Sequence, residues 1–315
     1  MFIKRFLAGL SVLLFIALPT AAQEEGERPE AWDADHQQER FYWHDFWFTP
    51  FMASQVDPRV SYGLFIPEGY DENGDQEYPL VVLVHGTERS PSTYLRNYED
   101  FANEHDVILM APMFPVGTHG RYGLENYKLL EFEGMRYDLL LLSMIDEVAT
   151  KYRLDSSNFF LHGFSGGGHF AHRFLYLHPH RLRGVSVGAA GVITRPDLTK
   201  DWWVGIQDLK WRFNARVNFD RMRKVPVQIV IGSEDTMSWA PFPVETWSPY
   251  RMDHEPEATY TWGGDSPLDR AKTLHDDFEE IGIPVQLDIV PDAGHDESLM
   301  VEAVEAFFSE FLTAE

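Results

Sequence analysis

Phe159-Phe160-Leu161-His162-Gly163-Phe164-Ser165-Gly166-Gly167-Gly168 is the stretch on which the reading of this chain turns. Phe159 to His162 has strand character and runs straight into a glycine-rich corner with a serine at its centre, after which Gly167 to Leu177 has helical spacing. Strand, G-x-S-x-G and helix together are the context of a nucleophile elbow. The turn is so tight that the flanking positions tolerate no side chain, and it lifts the serine hydroxyl clear of the sheet. The helix that begins there also aims backbone N–H groups at any oxyanion forming beside the serine.

The alternation of strand and helix continues on both sides of this corner. Strand candidates are Val60 to Ile66, Leu80 to Val84, Val107 to Met110, Phe159 to His162, Gly184 to Val187, Val227 to Ile231 and Val285 to Ile289. Several are unbroken apolar runs, the mark of strands buried on both faces. Longer amphipathic runs lie at Tyr137 to Lys151, Gly167 to Leu177, Ser266 to Ile281 and Glu297 to Leu312, with Ser266-Pro267 a fair helix start. The pattern predicts an α/β domain, a mostly parallel central sheet flanked by helices, over residues 59–315.

A serine at its ordinary pKa is a weak nucleophile and needs a base and an orienting carboxylate. Val227 to Ile231 leads into Gly232-Ser233-Glu234-Asp235, which puts an acid just past the carboxyl end of a buried strand, where open α/β sheets hold ligands and catalysts. Val285 to Val290 leads through Pro291-Asp292-Ala293-Gly294 to His295, again at a strand end and before a helix. The chain order Ser165, Asp235, His295 is nucleophile, acid, histidine. Glu234 is the rival acid. Oxyanion donors are expected at the Gly166 N–H and in the loop Val84-His85-Gly86-Thr87, where Thr87 N–H is the natural second donor. His85 suits a structural hydrogen bond better than a second catalytic role.

On these motifs the chain resembles the α/β-hydrolase superfamily, and within it the secreted esterase, feruloyl-esterase and polyhydroxybutyrate-depolymerase-like serine hydrolases. The resemblance runs from about Arg59 to the C-terminus and rests on Val84 to Thr87, Gly163 to Gly167, Asp235 and His295. It implies an α/β-hydrolase fold, Ser165 as nucleophile with Asp235 and His295 as partners, and ester hydrolysis without a cofactor.

Composition narrows the alternatives. Lys and Arg total 26 against 50 Asp and Glu, a net charge of −24 that repels nucleic-acid phosphates and anionic lipid. At the N-terminus Lys4 and Arg5 precede the apolar run Phe6 to Leu18 and the small residues Thr20, Ala21 and Ala22. This reads as a cleavable signal peptide at 1–22, its apolar run short of the ~20 residues that span a bilayer. A secreted or periplasmic protein without membrane contact after cleavage is expected, followed by an N-terminal arm at 23–58. The absence of cysteine excludes disulfides and thiolate metal sites. His162, His169, His172, His178 and His180 cluster without a nearby carboxylate in sequence, so no metal is expected.

Two stretches break the alternation, near 193–224 and 236–265, and hold six of the nine tryptophans. They read as aromatic-rich insertions. Their rings either wall the site, with Trp202, Trp203 and Trp239 as substrate-binding candidates for an apolar acyl or alcohol group, or form a small core of their own. The expected activity is cleavage of a small-molecule or polymer ester through an acyl-enzyme. A serine exopeptidase or amidase shares the triad, and a catalytically silent hydrolase-fold binding protein shares the fold.

Overall fold

Where the apolar runs fall, strands form. The computed structural model describes residues 45–119, 123–236 and 263–312. The signal peptide expected at 1–22, the arm up to residue 44, and most of the 236–265 insertion, Trp239 included, lie outside the described residues. The strands are β1 (Trp47–Phe48), β2 (Met52–Ala53), β3 (Ser61–Ile66), β4 (Leu80–Val84), β5 (Ile108–Met113), β6 (Glu131–Phe132), β7 (Met135–Arg136), β8 (Phe159–Phe164), β9 (Leu182–Gly188), β10 (Val227–Gly232) and β11 (Val285–Val290). The helices are α1 (Pro91–Asn97), α2 (Glu99–His105), α3 (Tyr137–Ala149), α4 (Gly166–Leu177), α5 (Leu209–Phe213), α6 (Phe219–Met222), α7 (Pro267–Glu280) and α8 (Val301–Leu312). No described helix is long and apolar enough to cross a membrane.

One sheet carries the order β1-β3-β5-β4-β8-β9-β10-β11, with β2 added on β3. Pairings from β5 through β11 are parallel, and β3 runs antiparallel to β5. All seven strands expected from the sequence form, most of them a residue or two longer. β6 and β7 make a separate hairpin. The apolar β4 is buried along its whole length, as a central strand covered on both faces must be.

Side-chain alternation divides the core into two layers. Phe159 packs on Phe174 of α4, whereas Phe160 packs on Phe308 of α8. Tyr176 of α4 meets Phe278 of α7, and Asp138 of α3 bonds His178 at the end of α4, so α3, α4 and α7 share one face. On the α8 face the middle of the sheet carries a polar row. Ser186 Oγ lies 3.0 Å from His162 Nδ1 and donates to Gln228 Oε1 (2.7 Å), while Gln228 Nε2 donates to Asp288 (2.6 Å) and to the Ala303 carbonyl (2.8 Å).

Local chemistry explains the helix boundaries. α7 begins with a capping box, in which Ser266 Oγ accepts from Asp269 N–H and the Asp269 carboxylate accepts from Ser266 N–H, with Pro267 at the first helical position. The run expected as one helix from Glu297 divides into a 3-10 turn, Glu297–Leu299, and α8. Asp296 caps that turn by accepting from Ser298 N–H (3.0 Å). α1 and α2 are each seven residues long and meet at Tyr98, too short to stand out by periodicity.

Candidate active site

Because β4, β8, β10 and β11 are parallel, the loops after them emerge at one edge of the sheet. Ser165 follows β8 with φ 54° and ψ −111°, a backbone state that destabilises a non-glycine residue by about 1–3 kcal/mol. The glycines around it are sterically required. A Cβ at Gly163 would collide with the Gly167 carbonyl, and one at Gly167 with the Val84 carbonyl. The Ser165 N–H donates to the Gly188 carbonyl at 2.8 Å, which pins the corner to β9.

Asp235, just beyond β10, is 3% exposed, and its Oδ2 lies 2.6 Å from His295 Nδ1. A carboxylate only accepts, so the ring proton sits on Nδ1 and Nε2 is the basic nitrogen. Glu234 is exposed and does not bond the histidine; its N–H donates to the Ala293 carbonyl (2.8 Å), which holds the His295 loop against β10. The His295 ring packs beside Phe164 with centroids 4.9 Å apart. Ser165 and His295 line one cavity of about 700 Å³ together with Thr87, Tyr94, Asn97 and Lys128.

The Thr87 loop is braced from several sides. His85 Nε2 accepts the Phe114 N–H (3.1 Å), so Nδ1 donates to the Gly86 carbonyl (2.8 Å). Burial pushes the His85 pKa down to about 3, which keeps the ring neutral and fits a structural bond. Gly86 N–H donates to the Tyr94 hydroxyl (3.0 Å), and the Tyr127 hydroxyl lies 2.9 Å from the carbonyls of both His85 and Gly86. Arg89 donates to the carbonyls of Thr87 (2.5 Å) and Phe114 (2.9 Å). Thr87 N–H has no acceptor among the described residues, and a Cβ at Gly166 would come within 3.2 Å of the Thr87 nitrogen. Gly166 is the first residue of α4, where an N–H has no intrahelical acceptor. The two N–H groups are therefore neighbours with donor capacity to spare.

Trp202 and Trp203 are not brought to the cavity. They are 4% and 3% exposed and pack against the buried Arg173 guanidinium, 5.6 and 5.9 Å from the ring centroids. Trp202 also meets Phe213 at 5.0 Å. Trp202, Trp203 and Phe213 join the main core of the domain and form neither a wall of the cavity nor a separate core, and Trp211 of the same insertion is 86% exposed. The histidines clustered in sequence take separate partners: His169 Nε2 accepts Val192 N–H, His172 Nε2 accepts Thr194 N–H, and His178 Nε2 bonds Asp138. Tyr94, Asn97, Tyr127, Lys128 and Glu297, all at or behind the cavity, were not among the sequence candidates. No motif spacing marks Tyr94, Asn97, Tyr127 or Lys128, which reach the site only through folding, and Glu297, two residues past His295, belongs to no motif read there.

No protein-family model matches the sequence, and no curated protein matches it. Solved structures do. Poly(aspartic acid) hydrolase-1 from Sphingomonas sp. KT-1 superposes with a TM-score of 0.61 at 20% identity, covering 78% of this chain and 92% of its own. LpqC, a poly(3-hydroxybutyrate) depolymerase from Bordetella parapertussis, gives 0.60 at 19% identity over 80% of this chain and 85% of its own. A ferulic acid esterase gives 0.55 at 19% identity over 84% and 96%. The chain has the α/β-hydrolase fold.

Proposed function

We propose that this protein is an exported serine hydrolase that cleaves carboxylic esters through an acyl-enzyme intermediate. One observation carries the reading: a serine on a strained, glycine-flanked corner shares a cavity with a histidine whose far nitrogen is held 2.6 Å from a buried aspartate. In the reaction, His295 takes the proton from Ser165 as Oγ attacks the ester carbonyl, and Asp235 holds the tautomer and stabilises the imidazolium. The Thr87 and Gly166 N–H groups receive the oxyanion. His295 then protonates the departing alcohol, and water, deprotonated by the same histidine, releases the acid and restores Ser165.

Structures of a depolymerase and an esterase share the fold, and the order of basic, apolar and small residues over 1–22 supports export. A fluorophosphonate probe on the purified protein tests the nucleophile. Labelling and ester turnover are expected for the wild type, and Ser165→Ala should abolish the label and lower kcat by about 10⁶. Labelling that survives the substitution rejects Ser165. A panel of activated esters beside peptide and amide substrates decides between ester and amide cleavage.

A further inference from the structure

Glu297 lies two residues beyond His295, and a carboxylate is a destabilising choice for its position. The residue is 9% exposed, its Oε2 accepts from Asn97 Nδ2 at 2.5 Å, and its Oε1 is buried without a direct hydrogen bond. A buried carboxylate oxygen left in this state opposes folding, a cost that a neutral side chain at this position would reduce.

The contacts show what this carboxylate joins. Asn97 and Tyr94 are both on α1, and the Tyr94 hydroxyl accepts Gly86 N–H (3.0 Å) at the base of the Thr87 loop. On the other side, Glu297 opens the 3-10 turn that follows His295. The connection Glu297–Asn97–Tyr94–Gly86 therefore links the loop of the base to the loop of the oxyanion donor, and Glu297, Asn97, Tyr94, Thr87 and His295 all line the cavity. Asp235 fixes the His295 ring through Nδ1.

We propose that Glu297 is a positioning residue that, through Asn97, sets the His295 turn against the Thr87 loop so that base and oxyanion donor address the same carbonyl. The proposal rests on the hydrolase reading above. Burial pushes the Glu297 pKa up from 4.5 to about 7; Asn97 and Tyr98 pull against that rise, while Asp296 and Glu88 add to it. Tyr94 and Tyr98 are also acted on by this carboxylate, and Tyr98 by Glu305 of α8 as well. The hydrogen bond to Asn97 is charge-assisted only while the carboxyl is ionised. Turnover then requires two deprotonations, of the imidazole and of Glu297, and the acid limb of log kcat/KM falls more steeply than one proton allows.

Stability responds in the opposite sense. A carboxyl whose pKa is raised on folding keeps its proton in the folded state while the unfolded chain has lost it, so stability falls as pH rises from about 4.5 through 7. Glu297→Gln keeps an acceptor for Asn97 and removes the ionisation.

The test compares wild type, Glu297→Gln, Asn97→Ala and the double variant on a neutral short-chain activated ester, with Tm at pH 8 read alongside. Glu297→Gln is expected to lower kcat about 10- to 100-fold with KM within about 2-fold. Its acid limb should have unit slope and its Tm at pH 8 should equal or exceed that of the wild type. Asn97→Ala should lose kcat to a similar extent, and the double variant no more than either alone. The proposal is overturned if both single variants keep kcat, if the loss of kcat follows a loss of Tm, or if the acid limb is unchanged. A wild type that is labelled by the phosphonate probe while Glu297→Gln behaves normally removes this proposal alone. A wild type that is neither labelled nor active removes the hydrolase reading and this proposal with it.

Discussion

Consecutive residues on a loop point to different sides of the chain, and at Asp235 and Glu234 that single step separates a buried carboxylate from an exposed one. Asp235 lies 2.6 Å from His295 Nδ1, while Glu234 contributes its backbone N–H to the same loop. Asp235→Asn replaces an acceptor with an amide that can stabilise the wrong ring tautomer, and kcat on an activated ester should fall by about 10⁴ with the fold intact. Glu234→Gln should leave kcat within about 2-fold, since its backbone bond survives and exposed substitutions have small effects. Exchange of the two phenotypes would falsify the assignment. Sequence order alone left both acids open, because it fixes the distance from the strand end and not the side of the chain that faces the histidine.

At the level of elements, the first insertion is held by a cation rather than by a ligand. Arg173 of α4 lies buried against Trp202 and Trp203, donating to Thr194 Oγ1 (2.8 Å) and to the Lys128 carbonyl (2.6 Å). One side chain thus ties α4, the insertion and the Lys128 segment together. Trp203→Ala should cost about 3–5 kcal/mol of stability in denaturant unfolding, as expected for an aromatic removed from a packed site. The ratio of kcat/KM for bulky against acetate esters should stay unchanged, and a selective loss on bulky esters without destabilisation would return Trp203 to the substrate. Aromatic enrichment in the sequence shows that apolar surface needs a cover; whether substrate or a helix supplies it depends on where Arg173 lands. The strands were legible for the opposite reason. Runs such as Leu80 to Val84 are apolar throughout, and no exposed element accommodates such a run.

Across the whole molecule, buried titratable groups set the pH range of stability. Burial pushes His85, His162 and His172 down to about 3. The unfolded chain takes up these protons as pH falls below ~6.5 while the folded chain does not, so stability is lost from there downward. Glu297 and Glu305 act in the other direction. Burial raises both to about 7, with Asp100, Glu104 and Glu302 adding to the rise at Glu305, so stability declines as pH climbs through ~4.5 to 7. Asp138 is lowered despite burial, because His178 and Arg136 bond its carboxylate, and its contribution disappears only in acid below its ordinary 3.8. The two sets nearly cancel close to neutrality. The Tm of the purified protein should peak near pH ~6.5, decline gently above it and fall steeply below about 5, by calorimetry from pH 4 to 9. A Tm that stays flat down to pH 4 would show that these histidines are protonated in the folded state.

The sequence by itself determined the α/β alternation, the glycine-flanked serine corner and the placement of Asp235 and His295 beyond strand ends, because each is a local pattern. Apolar runs must be buried, a tight corner requires glycine two residues before and two residues after the serine, and chain order places the loops. Tertiary structure alone decided which acid meets the histidine, that Trp202 and Trp203 turn inward onto Arg173, and that Glu297 reaches Asn97 across the cavity rim. Asn97 and Glu297 are 200 residues apart in the chain, so their contact depends on how α1 and the loop after β11 pack against one sheet, and no spacing in the sequence encodes it.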